Sequence, residues 1–162
     1  MKYFEKTNFK NLSDEYIAQV IETNQNKIRI DLNFENKNPS DDELETFSGF
    51  LFQLENIIQQ NEIRIQKDFE SPEENTVREY ISHHLNEIPK IEINKFINKN
   101  DKTKSDKEKL FQKLKLVRIG IYPLENSYYS IFDYTIGENY TQYLISIQID
   151  KTGKIIDITM ES

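Results

Sequence analysis

At 162 residues the chain is long enough to bury a real hydrophobic core, and we read it as one domain spanning 1–162. It has no cysteine, which excludes disulfides, thiolate metal ligands and cysteine nucleophiles. A net charge of −7 argues against general nucleic-acid binding, and ten Phe with nine Tyr argue against disorder.

The charge is unevenly placed. From Lys90 to Arg118 ten Lys/Arg stand against four Asp/Glu, a local +6, so the remainder carries −13. We read the basic run as a solvated loop and helix face. The opening MKYFEKTNFKNL lacks the apolar core of a signal peptide, and no run nears the eighteen apolar residues of a membrane helix. The expectation is a cytoplasmic protein with no membrane partner.

In chain order, Tyr3, Phe4, Phe9 and Leu12 mark a short edge strand or an aromatic-pinned extended segment. Tyr16–Thr23 is β-rich. Ile28–Glu35 alternates cleanly, with Ile28, Ile30, Leu32 and Phe34 on one side and Arg29, Asp31, Asn33 and Glu35 on the other. Asn24–Lys27 supplies turn residues, so the two pieces form a hairpin. Ser40 with Glu43 makes a capping box, and Leu44, Phe47, Leu51, Leu54 and Ile58 recur at steps of three and four. This predicts an amphipathic helix over Asp41–Asp68, with Gly49 allowing close packing on the sheet. Ser71, Pro72 and Glu74 predict a second helix start, and Pro89 closes that helix. Short helices near Glu92–Ile97 and Ser105–Leu114 flank a charged loop, Asn98–Lys107.

Four strands then follow in succession: Leu114–Tyr122, Ser127–Ile136, Tyr143–Asp150 and Lys154–Glu161. Asp150-Lys151-Thr152-Gly153 is a hairpin turn with Gly at the left-handed position. The predicted fold is α+β: an antiparallel sheet of about six strands, from an N-terminal hairpin and a C-terminal four-stranded meander, with two main helices covering one face. Phe47, Leu51, Leu54 and Ile58 against Ile28, Ile30, Ile145 and Ile147 form the expected core centre.

Segments from IDLNFE (30–35) through VREYISHHL (77–85), LVRIGIYP (116–123) and FDYTIGE (132–138) to IDITMES (156–162) span nearly the whole chain. In them the chain resembles a family of small bacterial proteins catalogued only as a domain of unknown function, number two thousand and four in that series. The resemblance implies a single α+β domain and no mechanism.

No P-loop, GxGxxG or GxSxG occurs, and the four glycines leave no glycine-rich phosphate cradle, so no cofactor is expected. Two constellations remain. His83 lies four residues from both Glu79 and Glu87 on one helix, a spacing that helix metal ligands use. His84 falls on the apolar stripe, where a hydrogen-bonded core histidine is the simpler reading. The second is the polar side of the sheet: Asp31, Arg118, Asp133 and Asp157 oppose the apolar rows, with Tyr122 beside them. Cross-strand pairing would gather several of them on one surface. Tyr128, Tyr129, Tyr140 and Tyr143 add to a Tyr-rich binding surface. The expected function is a non-enzymatic protein-interaction module, in its specific form an immunity-type inhibitor of a basic partner. The alternative is a small enzyme or ligand-binding protein using the polar face of the sheet.

Overall fold

The computed structural model describes residues 16–22, 27–33, 40–73, 75–97, 100 and 102–162. The segment Tyr3–Leu12, the turn at 24–26, Phe34, Glu35, Pro39, Glu74 and part of the Asn98–Lys107 loop lie outside the described residues.

Ten elements follow in order: β1 (Tyr16–Glu22), β2 (Lys27–Asn33), α1 (Asp41–Glu70), α2 (Thr76–Glu87), α3 (Lys90–Phe96), α4 (Asp106–Phe111), β3 (Lys115–Ile121), β4 (Ser130–Thr135), β5 (Leu144–Ile149) and β6 (Ile155–Glu161). The fold is α+β, built on one mostly antiparallel sheet. Five strands, β2 to β6, form its body, and β1 pairs antiparallel with β2 at the edge. The order is sequential, as expected for a hairpin joined to a meander. The junction corrects the expectation of an all-antiparallel sheet: β2 and β3 pair in parallel. Parallel neighbours need a long crossover. All four helices lie between these two strands in the chain and provide it.

Register places the side chains in lateral rows. Ile30, Ile119, Phe132, Ile147 and Ile158 stand side by side across β2 to β6, each 9% exposed or less. This row is the floor of the core. Helix α1 supplies the lid. Its Ser40 capping box is present as predicted, with the Glu43 N–H donating to Ser40 Oγ and Glu43 Oε2 accepting from the Ser40 N–H. Asp41, Asp42 and Glu43 sit against the positive end of the helix dipole. The buried stripe is Phe47, Phe50, Leu54, Ile57, Asn61, Ile65 and Asp68. Leu51 and Ile58 are only partly buried at its margin, as is Ile28 on β2. The helix is therefore rotated slightly from the expected phase. Gly49 is exposed, with nothing within 4 Å of a Cβ placed there, so it does not mediate close packing. The contact α1 makes with the sheet's far end is elsewhere. Gly153, in the left-handed conformation (φ 87°), closes the β5–β6 turn, and a Cβ there would lie 3.1 Å from Ile57 Cγ1.

The predicted helix start at Ser71-Pro72 is also corrected. Helix α1 continues to Glu70, and Ser71 is its C-cap, donating its N–H to Lys67 O. Helix α2 begins at Thr76 after Asn75, whose side chain makes no capping bond. Asp68, buried on the previous helix, accepts from the Val77 N–H at 2.8 Å and takes the capping role. An orphan donor at the helix start is satisfied, and a carboxylate faces the positive end of the dipole. Thr76 then donates its hydroxyl to Ile158 O on β6, which blunts that sheet edge. Helix α4 carries a second capping box, Ser105 with Glu108, and its Phe111 stacks on Phe69 of α1 at 4.1 Å. Among the described residues no helix is long and apolar enough to cross a membrane.

Candidate functional site

One residue along from the core floor, the sheet carries a second lateral row on its opposite face. Arg29, Arg118, Asp133, Ser146 and Thr159 are aligned partners across β2 to β6. Alternation alone puts polar residues here. The parallel pairing of β2 with β3 sets Arg29 beside Arg118, and Asp31 lies between the two cations. Asp31 Oδ1 accepts from Arg29 Nε at 2.7 Å and Oδ2 from Arg118 Nε at 2.6 Å. Arg118 also donates through Nη1 to Asp133 Oδ2 at 2.9 Å and through Nη2 to the Tyr122 hydroxyl at 2.7 Å. Ser146 donates to the other Asp133 oxygen at 2.6 Å. Asp31 and Asp133 are each 3% exposed.

Sequence reasoning thus placed Asp31, Arg118, Tyr122 and Asp133 on one surface, and the structure brings these four into one hydrogen-bonded network. Asp157 does not join it. It is exposed on β6 opposite Gln148, two residues from the row, and its Oδ1 accepts from the Ile158 N–H. Arg29 and Ser146 are the members that were not singled out. Their signal was present, because they occupy the polar phase of β2 and β5.

Gly120 makes the Arg118–Tyr122 contact possible. Residues 118, 120 and 122 share one face of β3, and the two long side chains meet over the glycine. A Cβ at position 120 would stand 2.7 Å from the Tyr122 hydroxyl and 3.0 Å from Arg118 Nη2. Replacing Gly120 with Ala is expected to push these mobile ends apart and cost about 1–2 kcal/mol through the lost charge-assisted bond. Strand propensity alone would give the opposite sign. A double-mutant cycle with Tyr122→Phe checks this, because the two losses should overlap rather than add.

The electrostatics of the row are closed. Burial disfavours the Arg118 guanidinium, but the bonds to Asp133, Asp31 and Tyr122 outweigh it and raise its pKa above the ordinary value. Two arginines and two aspartates balance in charge, and both oxygens of each carboxylate already accept. A proton-transfer role would have to break an ion pair first. The row suits a fixed scaffold that locks strand register, with Tyr122 packed edge-on against Tyr128 at its rim.

The histidine pair divides as its helix phase predicts. His84 is buried. Its Nδ1 lies 2.7 Å from Tyr80 O, a pure acceptor, so Nδ1 carries the proton. Nε2 accepts from the Thr141 hydroxyl at 2.7 Å, and Thr141 Oγ1 accepts from the Tyr143 N–H. Tyr80, 0% exposed, donates to Tyr143 O and accepts from the Ile136 N–H. The two side chains therefore pin the β4–β5 connection onto α2. His83 is half-buried, with its ring 5.1 Å from that of Tyr143, and Glu79 and Glu87 are exposed. Among the described residues no three His, Asp or Glu side chains come together in a way that could hold a metal ion.

Burial lowers the His84 pKa below 6.5; the Tyr80 bond opposes this and His83 adds to it. The unfolded ring titrates near 6.5. Below that pH the unfolded chain binds the extra proton first, so stability falls as pH falls, until the folded ring is protonated as well. Urea melts at about pH 7.5 and about pH 5.5, either side of the unfolded pKa, should show a drop for the natural chain and a shallower one for His84→Gln. Equal drops would assign the dependence to other groups.

Fold and site together define an α+β protein whose sheet carries a polar row, with Arg118 bonded to Asp31, Asp133 and Tyr122, on the face away from its core. No protein-family model matches the chain, and neither does a curated protein or a solved structure.

Proposed function

We propose that the chain is a non-enzymatic protein-interaction module for a basic partner. The observation that carries this is where the unneutralised charge lies. The polar row uses its carboxylates internally. The groove at one end of the sheet does not have that balance. A groove of about 570 Å³ between the start of α1 and the β3–β4 and β5–β6 turns is lined by Asp42, Glu43, Glu125 and Asp150 against Lys151. Tyr128 and Tyr129 line it too. Acidic potential of this kind steers a basic protein and sets its orientation. A stoichiometric inhibitor of the immunity type is the specific form that size, class and charge fit. The enzymatic alternative is less well supported, because Asp31, Arg118 and Asp133 are committed to one another.

The test is capture on the immobilised chain from the cells that make it, with elution by salt. A single basic protein held near one-to-one and released as ionic strength rises is the expected result. Recovery of no stoichiometric protein, or of an acidic one, would overturn the reading.

A further inference from the structure

A second groove lies where α2 ends and the β4–β5 connection crosses it. It encloses about 590 Å³, a volume suited to an extended side chain and its neighbours. Glu87, Glu92 and Glu138 line it, and no Lys or Arg does. Tyr140 and Tyr143 stand on its wall, each 37% exposed. Both rings are braced by neighbours: Tyr140 against Phe96 at 4.2 Å, and Tyr143 edge-on at 5.1 Å to His83, which also lines the groove.

Two features of different kinds favour the same charge. Carboxylates attract a cation, and tyrosine faces attract one through their quadrupole. The wall is also preordered. Tyr80 holds the Tyr143 carbonyl and His84 holds Thr141, so the connection is fixed before anything binds. A partner then avoids the entropy of ordering it. A planar guanidinium pairs with a carboxylate through two parallel N–H bonds and stacks flat on a tyrosine, which an ammonium does not do.

We propose that this groove receives an arginine side chain from an exposed segment of the basic partner, with Glu87 and Glu138 pairing the guanidinium and Tyr143 stacking on it. The inference rests on the basic-partner reading and adds a second contact surface to it.

The test is titration of the isotope-labelled chain with acetyl-Gly-Arg-Gly-amide, with acetyl-Gly-Glu-Gly-amide as control, followed by amide chemical shifts. Saturable shifts confined to residues 83–92 and 137–143 are expected for the arginine peptide alone. Glu87→Gln with Glu138→Gln should weaken the peptide about tenfold or more, the size of a charged hydrogen-bond pair, without moving the melting temperature. Tyr143→Leu, which keeps bulk and removes the aromatic face, should weaken it less. Shifts scattered over the whole acidic surface, or equal affinity in the double Gln variant, would overturn the proposal. The two readings fail separately. A captured basic protein that binds the double Gln variant as well as the natural chain sinks the groove and leaves the partner. A groove that takes the peptide while no basic protein is captured leaves the groove and sinks the partner.

Discussion

Replacing Arg118 with Met is expected to destabilise the protein by about 3–5 kcal/mol, the usual effect of removing one partner from a buried ion pair. The reason lies in what is left behind. Asp31 and Asp133 are both 3% exposed, and Arg118 donates to each of them. Without the guanidinium, two carboxylates remain buried on the strands either side of β3; Asp31 keeps Arg29, and Asp133 keeps the Ser146 hydroxyl. For a chain of this length such a loss corresponds to roughly 6–20 °C in Tm. The informative comparison is the triple variant Asp31→Asn, Arg118→Met, Asp133→Asn. It removes every charge of the network except that of the exposed Arg29, and a network removed nearly as a whole costs far less than one partner removed alone. Chemical denaturation should therefore show the triple variant regaining most of what Arg118→Met loses. If the single and triple variants are equally unstable, the network's worth lies in shape and not in charge. If Arg118→Met is neutral, the network is not holding β2 against β3.

The same row shows where sequence reasoning succeeds and where it stops. Alternation in Ile28–Asn33 and Lys115–Ile121 identifies which side chains leave the core, so Asp31, Arg118 and Asp133 are readable as one face. Alternation carries no direction. Strands β3 to β6 are joined by short connections that force antiparallel pairing, but β2 and β3 are separated by all four described helices, and both orientations satisfy the pattern. The sheet was therefore readable except at its one parallel junction. Registers inside the row depended on irregularities with no clear sequence mark, between Leu116 and Arg118 and between Gln148 and Ile149. Asp157 is on the polar face, opposite Gln148 and two residues out of line with the row. The helix starts show the complementary limit. Ser40 with Glu43 is a local motif and was readable, whereas Asp68 caps α2 from nine residues away and left the local signal at Ser71 misleading. Asn61 was unreadable as a core residue. It is fully buried in the α1 stripe, and neither amide atom has a hydrogen-bond partner among the described residues.

Leu54→Asp is expected to abolish folding. Leu54 sits midway along α1, is 0% exposed, and belongs to the stripe that covers the Ile30–Ile158 row. Truncating such a leucine costs about 2–5 kcal/mol in lost transfer energy and cavity. Aspartate adds an unpaired charge in an apolar layer, worth several kcal/mol more even after relaxation. Together these approach the whole of an ordinary domain's stability of about 5–15 kcal/mol. The control is two residues away. Phe52 is also apolar and lies on the same helix, but 73% of its surface is exposed, so it faces away from the sheet. Phe52→Asp should fall within about 0.5 kcal/mol of the natural chain. Circular dichroism melts of the two variants decide the matter: a flat trace for Leu54→Asp with a normal transition for Phe52→Asp places the buried face of α1 where the structure has it. Two normal transitions would mean that α1 does not close the core. Two flat traces would mean that the helix fails for a reason both sites share, such as negative charge added to an already acidic segment, and not because of which face it buries.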